Sequence, residues 1–238
     1  MSGISVPTPQ PYPVTPGMET ADAKEELRRA IRAQRGHRSA RQRAQAAEAF
    51  ADVIESIPEV RDAGCVAAYA ARSAEPGMLP LLERLSGRGV RVLLPVLGAG
   101  LARDWADYTG PDDLLERAPG RPPEPGGPTL GTDATKLADV VLAPALAVDS
   151  RGVRLGQGGG WYDRALTHLR PGAKVVAVVF PEEVYDADEH PCRARSTTSW
   201  CTPSQPPPTG AGWAEPAVGR PWAGLVTTNP AHGAPLTA

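Results

Sequence analysis

Short apolar runs alternate with helix-forming segments through the middle of the chain, and this alternation constrains the fold more than any other feature. Residues 65–70, 90–97, 140–148 and 175–180 have the composition of buried strands, the third of them interrupted by Pro144, and residues 79–85 favour a short helix between the first two. Strands separated by helices are typical of a parallel sheet, because each connection must cross a face of the sheet. The pattern therefore predicts an α/β fold: a three-layer, mainly parallel open sheet with helices on both faces, in a single domain.

Helices are also predicted before the first strand and after a glycine-rich turn. Residues 22–34 place Leu27 and Ile31 one turn apart, and a second helix begins after Ser39, whose hydroxyl can cap it. A further helix is expected at 161–169. The remaining assignments are a weaker strand at 101–108 and a loop at 117–131.

Proline divides the chain into three parts. Five of the 27 prolines lie in residues 1–20 and nine lie in residues 190–238, where they interrupt any helix or strand. The aliphatic residues of the last part are too few to form a core face. We therefore predict a disordered leader at 1–20, one α/β domain at 21–188, and a Pro/Gly-rich, disordered tail at 189–238.

Charge and cysteine content exclude several classes of protein. A net charge of −2 provides no field for nucleic acid or an acidic membrane surface. The three cysteines form no C-x-x-C pair, which excludes a disulfide framework or zinc ribbon and suits a reducing cytoplasm. No apolar stretch approaches the roughly 18 residues of a membrane helix. We expect a cytoplasmic protein without a membrane or nucleic-acid partner.

The segment AVDSRGVRLGQGGGWYDR at 147–164 is the most informative motif. Four of its five glycines, at 156 and 158–160, stand between a predicted strand and a predicted helix, where backbone N–H groups can face a phosphate. It is neither the G-x-G-x-x-G fingerprint nor a P-loop, so a mobile surface turn remains an alternative. Arg154 offers a bidentate clamp for phosphate. Asp163 offers a magnesium ligand, although an acid in a first helical turn also compensates the helix dipole.

Two further segments could contribute to a site. Eight basic residues lie in 24–43, and Lys24 and Arg28 stand one turn apart, where both could reach one polyphosphate. A solvated helix face is the ordinary interpretation, and a nucleic-acid module is disfavoured because the helix lacks base-stacking aromatics. Glu75 follows the first strand, at the edge where open α/β sheets bind ligands. The alternative for Glu75 is an exposed acid in a turn before Pro76.

Taken in order, these segments resemble the 5-formyltetrahydrofolate cyclo-ligase family over residues 21–188, about 70% of the chain. The family's K-x-x-x-R is matched at 24–28, and its tyrosine-containing strand with a following glutamate by Tyr69 and Glu75. Its Glu-Pro pair is matched by Glu124 and Pro125. The longest match is P-x-L-A-x-D-x-x-G-x-R-L-G-x-G-G-G-x-Y-D-R, which spans 144–164.

This resemblance implies an ATP-dependent ligase that converts 5-formyltetrahydrofolate to 5,10-methenyltetrahydrofolate, with Mg²⁺ as cofactor and release of ADP and phosphate. The implied partners are small molecules, and we expect a monomer. No catalytic residue is assigned, and Asp163 is the implied metal ligand. The implied ATP contacts are Lys24, Arg28, Arg154, Leu155, Gly156, Gln157, Gly158, Gly159, Gly160, Trp161 and Tyr162. The implied folate contacts are Ala70, Glu75, Gln157, Gly158, Gly159, Gly160 and Trp161.

The C-terminal part departs from the family pattern. Family members continue with a segment that contains a second magnesium-binding aspartate and an edge strand, whereas residues 189–238 contain no aspartate. One hypothesis is a non-catalytic nucleotide- or folate-binding protein inactivated by its altered C-terminus. Another is a change of reading frame near His190, because G+C-rich coding DNA read out of frame gives the Pro, Ala, Gly, Arg and Trp bias of this part.

Overall fold

The computed structural model describes residues 20–97, 103–149 and 152–185, together with the backbone of 224–228. The predicted leader lies outside these residues except for Thr20, and so does most of the predicted tail. In the described part of the chain, the main sheet has the strand order β11 (Gly224–Thr228), β9 (Lys174–Val179), β6 (Val140–Pro144), β1 (Cys65–Ala67), β2 (Arg91–Leu97) and β3 (Arg103–Asp107).

The centre of this sheet is parallel and its edges are antiparallel. Strands β9, β6, β1 and β2 pair in parallel, while β11 and β3 run antiparallel to β9 and β2. The prediction of a mainly parallel α/β sheet is thereby confirmed. Strand β11 is an exception within the segment predicted as a tail without regular structure, because its backbone supplies an edge strand beside β9. The domain boundary at 189 stays a prediction.

Five α-helices are described: α1 (Thr20–Gly36), α2 (Ala40–Ser56), α3 (Pro58–Arg61), α4 (Leu79–Gly87) and α5 (Trp161–Ala165). Short 3-10 turns occur at Pro111–Asp113, Ala134–Leu137, Leu166–His168 and Pro181–Glu183. The predicted cap of α2 is confirmed, because the Ser39 hydroxyl accepts from the Gln42 backbone N–H and the Gln42 side chain accepts from the Ser39 backbone. Among the described residues, no helix combines the length and apolar character needed to cross a membrane.

Two predicted segments are organised differently from the expectation. The strand predicted at 140–148 is interrupted at Pro144 as expected, but its two parts belong to different sheets: β6 ends at Pro144, and β7 (Ala147–Asp149) joins a second sheet of order β10 (Val184–Tyr185), β7, β8 (Arg154–Leu155). Proline has no N–H for the ladder, so the chain leaves the main sheet there. The loop predicted at 117–131 contains β5 (Glu124–Pro125), which pairs with β4 (Leu114–Leu115).

Strand β9 shows how the layers are packed. Val176 and Val178 lie in the main core with Phe50 of α2, whereas Ala177 and Val179 lie in a second cluster with β7 and β10. The small sheet therefore covers the other face of the main sheet at this edge. Helix α1 packs onto the small sheet through Leu27, Ile31, Leu146, Ala147, Leu155 and Tyr185. This packing fixes α1 beside β8, which leads directly into the glycine segment.

Candidate functional site

The glycine segment leaves the small sheet as a tight loop, defined here as the glycine loop, residues 156–160. Strands β7 and β8 form a hairpin, in which the Asp149 carboxylate accepts from the Val153 backbone N–H at 2.8 Å. Within the loop, Gly158 has φ +102° and Gly160 has φ +62°. Residues with a Cβ adopt this left-handed region rarely, so these two positions require glycine for conformational reasons.

The first half of the glycine loop is held by arginines of α1. The Arg28 Nε donates to the Gly156 carbonyl oxygen at 3.0 Å, and the Arg32 Nη2 donates to the Gln157 carbonyl oxygen at 3.0 Å. Both side chains lie on one helix face because they are one turn apart. The sequence interval between helix and loop exceeds 120 residues, so these contacts depend entirely on the packing of α1 on the small sheet.

The second half of the loop is held by the main sheet and α5. The Gly159 carbonyl oxygen accepts from Arg103 of β3 at 3.2 Å and from Arg164 of α5 at 2.8 Å. Trp161 packs edge-to-face on buried Trp105 of β3, with ring centroids 4.7 Å apart. These contacts anchor the end of the loop in the aromatic part of the core.

The positive charge at the loop comes from side chains rather than from a helix dipole. Helix α5 is only five residues long, shorter than the helix predicted at 161–169, and continues as a 3-10 turn. Four arginines instead contact loop carbonyls, at positions 28, 32, 103 and 164. Because of these four arginines, the surroundings of the loop suit an anionic ligand. One carboxylate, Glu25, also lies here, and the hydrogen bond from Arg28 lowers the pKa of its carboxyl.

Arg154 and Asp163 form an ion pair beside the loop. The Arg154 Nη2 donates to the Asp163 Oδ1, and its Nη1 donates to the Pro144 carbonyl oxygen at 3.3 Å. The Asp163 side chain is half-exposed, at 48%. Among the described residues, no group of three or more His, Cys, Asp or Glu side chains could hold a metal ion. One accessible carboxylate fits a magnesium ion that takes its other ligands from phosphates and water.

Glu75 contacts the glycine loop from the turn between β1 and α4, whereas Arg28 and Arg32 contact it from α1. Its Oε2 accepts from the Arg72 backbone N–H at 3.0 Å, and its Oε1 accepts from the Gln157 Nε2 at 3.0 Å. The turn that carries Glu75 is fixed further by the buried Tyr69, whose hydroxyl donates to the Pro76 carbonyl oxygen at 3.1 Å. Glu75 thus lies half-buried in a turn whose residues 72 and 73 are exposed, and it contacts the loop directly.

Two buried tyrosines, Tyr69 and Tyr162, support the site from the core. The Tyr162 hydroxyl donates to the Ala68 carbonyl oxygen at 3.1 Å, just past β1. Burial raises the pKa of Tyr162 and Tyr69 well above the usual range, so both remain protonated near neutrality. Ala70 is buried in the same run that extends β1. These residues therefore support the site structurally and do not act as groups for proton transfer.

The structure brings most of the predicted site residues to one place. Arg28, the glycine loop and Glu75 are joined by direct hydrogen bonds, while Arg154 pairs with Asp163. Leu155 contributes its side chain to the core under α1. Lys24 lies half-buried on α1 without a hydrogen bond or ion pair to the described residues. The ligand roles of all these residues stay predictions.

Four residues at the loop were not predicted as site residues: Arg32, Arg103, Trp105 and Arg164. Arg32 carried a signal, since it lies one turn after Arg28 on the same predicted helix. Arg164 is the last residue of the glycine-rich motif, but nothing in the motif indicates that it folds back on Gly159. Arg103 and Trp105 reach the loop only because β3 lies at the edge of the sheet, which the sequence pattern does not specify.

Comparison with known proteins gives the same picture over the same residues. The model of the 5-formyltetrahydrofolate cyclo-ligase family matches residues 20–191. A 5-formyltetrahydrofolate cyclo-ligase of Mycolicibacterium smegmatis is 44% identical over 126 residues, which cover 51% of this chain and 64% of the relative. One of Escherichia coli is 34% identical over 111 residues, covering 46% of this chain and 60% of the relative. The chain thus spans less than two thirds of the curated relatives it matches.

A solved structure supports the fold. The NMR structure of Aquifex aeolicus 5,10-methenyltetrahydrofolate synthetase superposes with a TM-score of 0.58 and 27% sequence identity. The superposition covers 68% of this chain and 80% of that protein. The family match includes the first basic helix, the glycine loop and Glu75, which the structure shows in contact with one another. The chain belongs to the 5-formyltetrahydrofolate cyclo-ligase family.

Proposed function

We propose that this chain is an ATP- and Mg²⁺-dependent ligase that converts 5-formyltetrahydrofolate to 5,10-methenyltetrahydrofolate and releases ADP and phosphate. One observation carries the proposal. Three segments that match the family's motifs meet at the glycine loop: Arg28 donates to the Gly156 carbonyl, and Gln157 donates to Glu75. This convergence joins the predicted nucleotide contacts to the predicted folate contacts.

The nucleotide would lie between α1 and the glycine loop. Lys24 and Arg28 would hold the phosphates, with Arg154 and the backbone from Leu155 to Tyr162 as the nucleotide loop. Phosphoryl transfer depends mainly on positioning and charge neutralisation, which Lys24, Arg28 and Arg154 would supply. Ligand phosphates would exchange with the contacts that Arg28 makes to Glu25 and to the Gly156 carbonyl.

The folate would lie on the Glu75 side of the loop. Glu75, the backbone near Ala70 and residues 157–161 would contact it and place its formyl oxygen near the γ-phosphate. That oxygen attacks the γ-phosphorus, and the bond from phosphorus to the ADP oxygen breaks. N10 of the folate then attacks the activated carbon and loses its proton, and phosphate departs with the formyl oxygen. Phosphorylation is needed because an amide oxygen is otherwise a poor leaving group.

Asp163 would hold the magnesium ion that accompanies the nucleotide. When bound, the ion would neutralise charge on the phosphates. Asp163 lies beside Arg154, so a cation and an arginine would share the space next to the phosphates. We further propose that the protein acts as a monomer in the cytoplasm, on small molecules only and without nucleic acid or membrane.

A second candidate function is ligand binding without turnover. It is favoured by the absence of aspartate from residues 189–238, where the resemblance implies a second magnesium ligand. Loss of one charge-stabilising group commonly costs a factor of roughly 10²–10³ in rate. The two candidates therefore differ in turnover and agree in binding.

A near-UV absorbance assay separates them, because the conjugated methenyl product absorbs where the substrate does not. The full chain is incubated with 5-formyltetrahydrofolate, ATP and Mg²⁺, and each component is omitted in turn. We expect product that requires all three, and a loss of at least tenfold in Arg28→Met but not in Arg29→Met, whose residue is exposed on the same helix. Ligand binding without product would support the second candidate, and no binding would refute both.

A further inference from the structure

We propose that Arg32 is a positioning residue of the site, which orients the Glu75 carboxylate through the side chain of Gln157. The inference rests on the proposed function, since Glu75 is taken as a folate contact. It concerns a residue to which the resemblance assigns no role. Arg32 contacts Gln157 twice, through Nη2 to the backbone carbonyl at 3.0 Å and through Nε to the side-chain Oε1 at 3.3 Å.

The chemistry of the three groups fixes the direction of the chain of hydrogen bonds. A guanidinium only donates and a carboxylate only accepts, whereas an amide has one accepting end and one donating end. Gln157 satisfies both neighbours in a single orientation, with Oε1 toward Arg32 and Nε2 toward Glu75. The reverse orientation would face two donors toward each other and two acceptors toward each other. Arg32 thereby determines that the amide turns its Nε2, and not its Oε1, toward Glu75.

The second oxygen of Glu75 is held by its own turn. Its Oε2 accepts from the Arg72 backbone N–H, so the Gln157 contact at Oε1 completes the fixation of the carboxylate. Without that contact the side chain keeps one bond and rotates about it. A folate held by Glu75 would then meet a carboxylate with less restricted orientation, which lowers affinity through the entropy of ordering it.

The chain of hydrogen bonds from Arg32 through Gln157 to Glu75, called the linkage below, also gives a role to the arginine one turn after Arg28. Arg28 contacts Gly156 and faces the predicted phosphate side, whereas Arg32 reaches Gln157 and, through it, the predicted folate side. Both share Glu25 as an exposed partner on the same helix. The two arginines would thus serve different ligands, and their replacement should affect different binding constants.

The test compares Arg32→Met with Arg29→Met in the full chain. We expect Arg32→Met to raise the KM for 5-formyltetrahydrofolate about tenfold, the size of one charge-assisted hydrogen bond. The KM for ATP should stay within about twofold. Gln157→Met should reproduce the rise in the KM for 5-formyltetrahydrofolate, and Arg32→Met should raise this KM little further in that background, because the arginine acts through the glutamine. The proposal would be overturned if Arg32→Met changed the KM for 5-formyltetrahydrofolate equally in the wild-type and Gln157→Met chains. It would also be overturned if Arg32→Met raised the KM of both substrates equally.

A measurement without ligands keeps this inference separate from the proposed function. Hydrogen exchange of the Arg72 backbone N–H, which donates to Glu75, should accelerate several-fold in Arg32→Met and in Gln157→Met but not in Arg29→Met. Arg32→Lys should restore part of the protection, since an ammonium can still donate to Oε1. If exchange responds but the wild-type chain binds no folate, the proposed function fails and the linkage stands. Unchanged exchange overturns the linkage whatever the activity.

Discussion

Helix α1 carries arginines in two opposite settings, against the glycine loop and at its C-terminal end. Arg28 and Arg32 are partly exposed, with 18% and 44% of their side chains accessible, and they contact the glycine loop. Arg35 in the last turns is 2% exposed and pairs with Glu183, which is equally buried, at 2.7 Å. Two arginines of the helix are thus partly accessible at the glycine loop, whereas the third is buried and ties the C-terminal end of the helix to the core.

The buried end has a dense set of contacts. The Arg35 Nη2 also donates to the Ala145 carbonyl oxygen at 2.7 Å, and its guanidinium lies 5.5 Å from the centre of the Phe180 ring. Glu183 in turn accepts from the Phe180 backbone N–H at 2.8 Å. These contacts tie α1 to the end of β9 and to the passage between β6 and β7.

The largest expected effect is on stability, at the buried end. Arg35→Met leaves the Glu183 charge without its partner, and we expect the free energy of unfolding to fall by about 3–5 kcal/mol. Arg32→Met should lower it by less than about 1 kcal/mol, since exposed ion pairs contribute little. Denaturant unfolding of both variants measures the difference.

The double variant Arg35→Met/Glu183→Met serves as the control for the buried end. It removes both charges and should recover part of the lost stability, although the Phe180 N–H then loses its acceptor. A fall of less than about 1 kcal/mol in Arg35→Met alone would show that the pair does not anchor α1.

Much of this organisation was predictable from the sequence. The parallel sheet and the Ser39 cap follow from period and composition. The left-handed glycines at 158 and 160 agree with the expected tight turn. The burial of Arg35 was not predictable, because Arg28, Arg32 and Arg35 are spaced alike on the helix, and the buried partner is 148 residues away. The interruption at Pro144 was predicted, but only the packed structure shows that the apolar runs on its two sides belong to different sheets.

A smaller effect is expected from the backbone of the glycine loop. Gly158 has φ +102°, so Gly158→Ala should lower the free energy of unfolding by about 1–2 kcal/mol through backbone strain. A Cβ there would lie 3.7 Å from the Arg28 guanidinium, which is an ordinary contact, so strain rather than collision is the cause. Gly159→Ala is the matched control, since its φ lies outside the left-handed region and nothing lies within 4 Å.

Denaturant unfolding of the two alanine variants decides whether the loop conformation depends on glycine. We expect the Gly159→Ala variant to remain within about 0.5 kcal/mol of the wild type. Equal losses in the two variants would show that a methyl group at either position lowers the stability, and that the left-handed conformation of residue 158 is not the cause.

The smallest effect is expected at Glu25, whose side chain is exposed on α1. The hydrogen bond from Arg28 lowers the pKa of Glu25 below its ordinary value of 4.5, so this contact stabilises the fold above that pH and is lost as the pH falls through the lowered pKa. NMR titration of the Glu25 carboxyl should show a value below 4.5 that rises in Arg28→Met and in high salt, because exposed charges are screened. A carboxyl that titrates alike in both chains would show that the pair does not form in solution.

The most direct test of the account is calorimetric titration of Mg-ATP into the wild-type chain, Arg28→Met and Arg29→Met. Because the Arg28 guanidinium donates to the Gly156 carbonyl from a partly exposed position, we predict that its replacement weakens ATP binding at least tenfold and lowers the free energy of unfolding by no more than about 1.5 kcal/mol. Arg29→Met should bind ATP as the wild type does. Equal affinity of Arg28→Met and the wild type, or no binding by the wild type, would contradict the placement of the nucleotide between α1 and the glycine loop.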